Sequence, residues 1–143
     1  MVTIINEACA ISPCNTRFAA GGDDGIIYLY NKESSVSLLT IYPAHMARVN
    51  DVAFSHDGSM MCSAGKDGKI VIYTNTTKHV LYLPEFKLPV KDYGNLFEEE
   101  IESNLPKMIE VFSLVWTCDD TRIVCASSDY LVRVCYSHTG KQY

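Results

Sequence analysis

Three kinds of residue in this 143-residue chain have types that could do chemistry: a glycine-rich acidic loop, four histidines and six cysteines. GGDDG at 21–25 is rich enough in glycine to suggest a phosphate cradle or a calcium loop. The phosphate reading fails because Asp23 and Asp24 would repel the anion and no Gly-Lys-Ser/Thr follows. The calcium reading fails because a loop starting at Asp23 puts Ser34 where a bidentate glutamate is needed. A β-turn remains. Thr139-Gly140-Lys141 lacks the upstream glycine of a phosphate loop and reads as an inter-strand turn. His45, His56, His79 and His138 show no metal-ligand spacing among themselves or with the cysteines. No metal, no cofactor and no catalytic residue is therefore expected.

The cysteines are Cys9, Cys14, Cys62, Cys118, Cys125 and Cys135, with no C-x-x-C pair among them. Most lie within apolar runs, where a free thiol behaves as a small hydrophobe. The first residues lack the basic, apolar, small-residue order of a signal peptide. A reducing, intracellular compartment is expected, in which the sequon Asn75-Thr76-Thr77 carries no meaning. A cysteine–histidine nucleophile would have to assemble in space, but each cysteine holds an ordinary strand or turn position.

Composition narrows the classes further. The chain is 48% hydrophobic and 20% charged, which reads as about one globular domain. No apolar run approaches the ~20 residues of a membrane-spanning helix, so no membrane partner is expected. A net charge of −5 argues against direct nucleic-acid binding, which needs clustered cations.

The elements that must position these residues repeat. CAISPCNTRFAAGGDDGIIYLY (9–30), VAFSHDGSMMCSAGKDGKIVIY (52–73) and LVWTCDDTRIVCASSDYLVRVC (114–135) align without a gap. Each carries an aspartate six residues before its end: Asp24, Asp67 and Asp129. The first offset, 43 residues, falls in the range of ~40–45 for one propeller blade, and the second, 62, is such a period plus 19. Short β-branched and aromatic runs between turn residues predict strands near 7–11, 17–20, 26–30 and 36–41 in a first blade. A second blade spans 49–54, 59–64, 69–73 and 78–83, and a third 110–116, 121–126 and 131–135. The segment from Pro84 to Glu110 holds seven acidic and three basic residues and reads as a surface insertion. NLFEEEIESNL within it could form a short helix capped by Asn95.

The second repeat resembles a WD40 repeat: Ala44-His45 stands where the family has Gly-His, followed by VAFSHDG and SAGKDGKIVIY. The resemblance implies a hydrogen-bonded relay of His45, Ser63, Asp67 and Tyr73, with tyrosine in place of the family's tryptophan. The outer repeats keep only the turn aspartates of that relay, Asp24 and Asp129. Ala20 and Cys125 hold the serine position, Tyr30 and Cys135 the tryptophan position, Val2 and Lys107 the histidine position. Those blades are expected to rest on apolar packing. Ile11, Phe54 and Trp116 fall at equivalent inner-strand positions and are expected in the cores between blades.

The fold expected is all-β: a partial WD40 propeller of about three four-stranded antiparallel blades in an incomplete ring. The boundaries expected are about 5–42, 44–83, an acidic insertion at 84–109, and 110–143, the last lacking most of its outer strand. Open end faces would lead such a chain to self-associate, and a piece of a longer protein is expected. The insertion, PKMIEVFSLVW and YSHTGK also resemble the bromodomain and WD-repeat family that includes the PH-interacting protein. That resemblance implies nuclear proteins linked to transcription, the cytoskeleton and cell shape, meeting histones through domains outside this chain. The function expected is a non-catalytic scaffold that binds other proteins, in the nucleus or cytoplasm. A generic adaptor, such as a ubiquitin-ligase substrate receptor or a ciliary or trafficking scaffold, is the alternative. The W-D-x-R motif of ligase adaptors is absent at Tyr73-Thr74-Asn75-Thr76 and Tyr30-Asn31-Lys32-Glu33. Asp23, Met46, Arg48, Lys66 and Ser128 form a candidate partner-binding rim.

Overall fold

Branched and aromatic side chains pack well on a pleated surface, and the runs that carry them form the strands here. The computed structural model describes residues 6–32, 37–74, 78–82 and 109–137. The first sheet holds β1 (Asn6–Ile11), β2 (Arg17–Gly22), β3 (Ile26–Asn31) and β4 (Ser37–Pro43) in that order. The second holds β5 (Val49–Phe54), β6 (Met61–Gly65), β7 (Lys69–Tyr73) and β8 (Lys78–Tyr82). The third holds β9 (Val111–Trp116), β10 (Arg122–Ser127) and β11 (Val132–Tyr136). Every pairing is antiparallel. These are three blades of an open, partial WD40-type propeller, and no helix is present among the described residues.

Backbone conformation repeats with the sequence. The six described residues with left-handed φ form two equivalent sets. Asn15, Gly58 and Asp120 occupy the turn after the first strand of each blade, and Gly25, Gly68 and Tyr130 the turn after the second strand. Glycine adopts this conformation without strain, whereas a bulky Tyr130 at φ 64° does so at a cost.

The blades stack in chain order. One apolar cluster, including Ala19, Ile27, Val49, Val52, Val71 and Tyr73, lies between blades 1 and 2. The other, including Cys62, Ile70, Ile72, Leu114, Trp116 and Ile123, lies between blades 2 and 3. Phe54 and Trp116 both join the cluster on the side of the preceding blade. Ile11 does not follow: it is 61% exposed. Its side of blade 1 has no sheet packed on it among the described residues, so the same position that buries Phe54 and Trp116 leaves Ile11 in solvent.

The acidic insertion with its NLFEEEIESNL helix, and the start of an outer strand in blade 3, lie outside the described residues. So do Val2 and Lys107.

Candidate functional site

Asp67 lies in the β6–β7 turn, where its Oδ1 accepts from the Lys69 N–H at 3.2 Å. The link into β5 carries His45 across that turn. His45 Nδ1 is 2.9 Å from Asp67 Oδ1, and Nε2 is 2.8 Å from Ser63 Oγ. All three residues are buried. A carboxylate only accepts, so Nδ1 carries the proton that it shares with Asp67, and Nε2 is hydrogen-bonded to the Ser63 hydroxyl. Asp67 Oδ2 accepts from the Met46 N–H at 2.9 Å. Burial pushes the Asp67 carboxyl up, but the bonds from His45, Met46 and Lys69 outweigh it and hold the group below the usual carboxylate range. Gly65 makes room for this arrangement: a β-carbon there would stand 2.3 Å from His45 Nδ1 and 2.6 Å from Asp67 Oδ1.

Tyr73 does not join the three. Its hydroxyl is buried with no hydrogen-bond partner among the described residues. The register explains this correction to the four-residue relay. Ser63 faces Val71, while Tyr73 faces Met61 and packs its ring 4.7 Å from that of Tyr42. Lys78 Nζ lies 5.7 Å from the Tyr73 ring centre.

The outer blades also depart from the expectation that they rely on apolar packing alone. In blade 3, Asp129 receives Arg133, whose Nη1 donates to Asp129 Oδ1 at 2.9 Å and to Ser127 Oγ at 2.6 Å. Arg133 Nη2 donates to Asp129 Oδ2, and both side chains are buried. Arg133 holds the Asp129 carboxyl down at about 2. In blade 1, Asp24 accepts from the Ile26 N–H at 3.0 Å and from the Tyr28 hydroxyl at 2.7 Å. Bonding to Asp24 pushes the Tyr28 phenol up to about 12. Tyr28, Val71 and Arg133 are equivalent under the repeat. The same strand position thus supplies a donor in the two blades that lack a described histidine, and an apolar residue in the blade that has one. Ser127 likewise stands where Gly65 clears space for His45. A lone arginine inside the apolar run LVRVC, four residues after Asp129, was the sequence signal for this pair.

Asp23, Lys66 and Ser128 occupy equivalent turn positions at one end of the blades. Asp23 and Lys66 are exposed, and Met46 is 88% exposed. Arg48 and Ser128 are tied inward instead. Arg48 Nε donates to Asn50 Oδ1 at 3.0 Å, and its Nη2 lies 3.6 Å from Glu110 Oε1 of blade 3. Ser128 Oγ accepts from the Glu110 N–H at 2.9 Å. The entry into β9 runs past both, which a single repeat does not reveal.

Further ties join blades 2 and 3. Asp51 Oδ2 accepts from Ser113 Oγ at 2.8 Å and from the Leu114 N–H at 2.9 Å. Asp120 accepts from the His56 and Asp57 N–H groups at 2.8 and 2.9 Å, and lies 2.8 Å from His56 Nδ1. Trp116 Nε1 donates to the Ala53 carbonyl at 3.3 Å.

All six cysteines are free. Cys62, Cys125 and Cys135 are buried, whereas Cys9, Cys14 and Cys118 are exposed, because turns and an outward strand face hold them. Bonds from the Ser12 and Thr16 hydroxyls lower the Cys14 thiol to about 7. No group of three or more metal-ligating side chains occurs among the described residues. No described helix is long and apolar enough to cross a membrane.

Known proteins resemble this chain in sequence. It is 30% identical to the serine-threonine kinase receptor-associated protein of Bos taurus over 74% of its own length and 29% of that protein's. It is 25% identical to a chromatin assembly factor 1 component of Schizosaccharomyces pombe, over 87% of this chain and 25% of that one. WD repeat-containing protein 1 of Xenopus tropicalis is 25% identical over 93% of this chain and 19% of its own. The chain thus spans under a third of the length of these relatives. The family model described as Vps42 beta-propeller matches residues 5–101, and the chain accordingly belongs to that β-propeller family.

Proposed function

We propose that this chain is the WD-repeat portion of a non-catalytic scaffold, with Asp23, Met46 and Lys66 as the partner-facing part of its rim. One observation carries the reading. The buried carboxylate of Asp67 holds the Met46 N–H at 2.9 Å while the Met46 side chain stands 88% in solvent. A methionine fixed at its backbone and free at its thioether is an adaptable apolar contact, and charges of both signs flank it on the neighbouring turns. His45, Ser63 and Asp67, like Asp24 with Tyr28 and Asp129 with Arg133, serve to keep the turns in register beneath that surface.

A nuclear, chromatin-associated setting is the finer form of this reading. The bromodomain and WD-repeat resemblance and the likeness to the chromatin assembly factor 1 component support it. Histones would be met through parts outside this chain, and control of the cytoskeleton and cell shape belongs to the same resemblance.

The test is co-purification from cells of the protein carrying Met46→Asp and Lys66→Glu together. Loss of a set of wild-type partners at unchanged melting temperature supports the rim. Retention of every partner removes it.

A further inference from the structure

Packing between blades 1 and 2 leaves a cleft of about 40 Å³ at the end of the blades opposite the rim. Leu29 and Tyr42 of blade 1 and Phe54, Met61 and Tyr73 of blade 2 give it apolar walls, and Arg17 of β2 is the charged residue of its lining. Both walls are blades of this chain, so whatever stacks beyond them leaves the cleft in place.

Two groups of the lining have bonding capacity to spare. Tyr73 is only 5% exposed, and its hydroxyl meets no described group. Burial and the neighbouring Tyr42 push its phenol above the usual value, so the hydroxyl keeps its proton and can donate it. Arg17 Nη2 donates to the Gly58 carbonyl at 3.3 Å, an uncharged acceptor, and no described carboxylate pairs with the guanidinium. No acidic side chain is among the described residues of the lining. Lys78 adds a second positive charge, its Nζ 5.7 Å from the Tyr73 ring centre. Asp57, on the turn beside the cleft, has its carboxylate taken up by the Ser55 and Ser59 hydroxyls at 2.7 and 2.8 Å.

A donor sunk in an apolar wall and a guanidinium without a counter-charge together call for an anionic acceptor. The size of the cleft selects which one. A cavity of ~150 Å³ takes benzene, so this one takes roughly two heavy atoms, the pair of oxygens on a carboxylate rather than a whole phosphate. Apolar walls exclude water and strengthen a polar bond made between them.

We propose that this cleft receives the carboxylate of an acidic side chain on a partner protein, one oxygen accepting from the Tyr73 hydroxyl and the other from Arg17. The inference stands apart from the rim reading, which concerns the other end of the blades.

Methyl NMR of the 143-residue chain, labelled at its methionines, tests it. The probe is N-acetylglutamate N-methylamide, and the glutamine analogue is its uncharged match. The signals of Met60 and Met61, which line the cleft, should move saturably with the glutamate probe, while that of Met46 on the rim stays in place. The glutamine analogue and Arg17→Gln should each raise the Kd by about tenfold or more, because a charge-assisted bond is lost. Tyr73→Phe should raise it by about threefold or more without lowering the melting temperature, because the free protein gives the hydroxyl no described partner to lose. Lys66→Gln, on the rim, should bind like the wild type. If Tyr73→Phe loses its β-sheet circular dichroism, Arg17→Gln decides alone. No saturable shift up to the solubility limit of the probe, equal Kd values for the two probes, unchanged binding in Arg17→Gln or in a folded Tyr73→Phe, or equal loss in Lys66→Gln would each overturn the proposal.

Discussion

Gly65 approaches the His45 ring so closely that a β-carbon on it would lie 2.3 Å from Nδ1. Removing the His45 ring relieves that clash and leaves the 2.6 Å approach to Asp67 Oδ1, so the two positions are coupled in part. Gly65→Ala is expected to destabilise the protein by about 1–3 kcal/mol through overpacking. In a His45→Ala background the same change should cost less. Urea unfolding of the four variants of the double-mutant cycle measures the coupling, and simple additivity would contradict the relation.

Tyr73 buries a hydroxyl that no described group meets. Tyr73→Phe is therefore expected to be neutral or stabilising, by up to about 1 kcal/mol, since it removes a desolvated polar group and leaves the ring against Tyr42. A clear loss of stability in urea would restore the phenol to the hydrogen-bonded set.

Asp129 gives the fold a defined acid response. Its carboxyl is held at about 2 by Arg133, below the ~4 of an unfolded aspartate. A depressed folded value means that the contribution is fully present above the unfolded value and is lost as pH falls through the folded one. Urea midpoints measured from pH 5 down to pH 2 (about the interval between the two values) should fall. The fall should be shallower in Asp129→Asn. Parallel curves for both proteins would refute this.

Asp120 should act as a latch between blades 2 and 3 through backbone more than through the histidine ring. The His56 side chain is largely exposed, whereas both consecutive N–H groups point at the carboxylate. Asp120→Ala should speed amide exchange at His56 and Asp57 by more than about tenfold. His56→Ala should change the Asp57 amide little. Equal effects would place the latch in the imidazole.

Cys14 should be the first thiol to react under native conditions. It is exposed and lowered to about 7, while burial keeps Cys62 well above the usual thiol range. Peptide mapping after brief alkylation near neutral pH should find Cys14 modified and Cys62 intact. Comparable early labelling at Cys62 would contradict it.

The blades are written in the chain itself. Spacing of the turn aspartates, the gapless repeat and the branched runs locate each described strand to within about two residues, because strands and tight turns arise from contacts a few positions apart. The resemblance of the second repeat to a WD40 repeat brings His45, Ser63 and Asp67 into view as one set. Which donor meets each aspartate is a matter of three-dimensional packing. Tyr28 and Arg133 reach theirs only because the pleat turns them onto the same face as the turn carboxylate. Stacking settles the rest. Phe54 and Ile11 hold the same place in the repeat, but blade 1 covers the first and no described sheet covers the second. Asp51 with Ser113 and Asp120 with His56 lie more than sixty residues apart in the chain. Such pairs depend on how whole sheets pack against each other, and no local pattern encodes that.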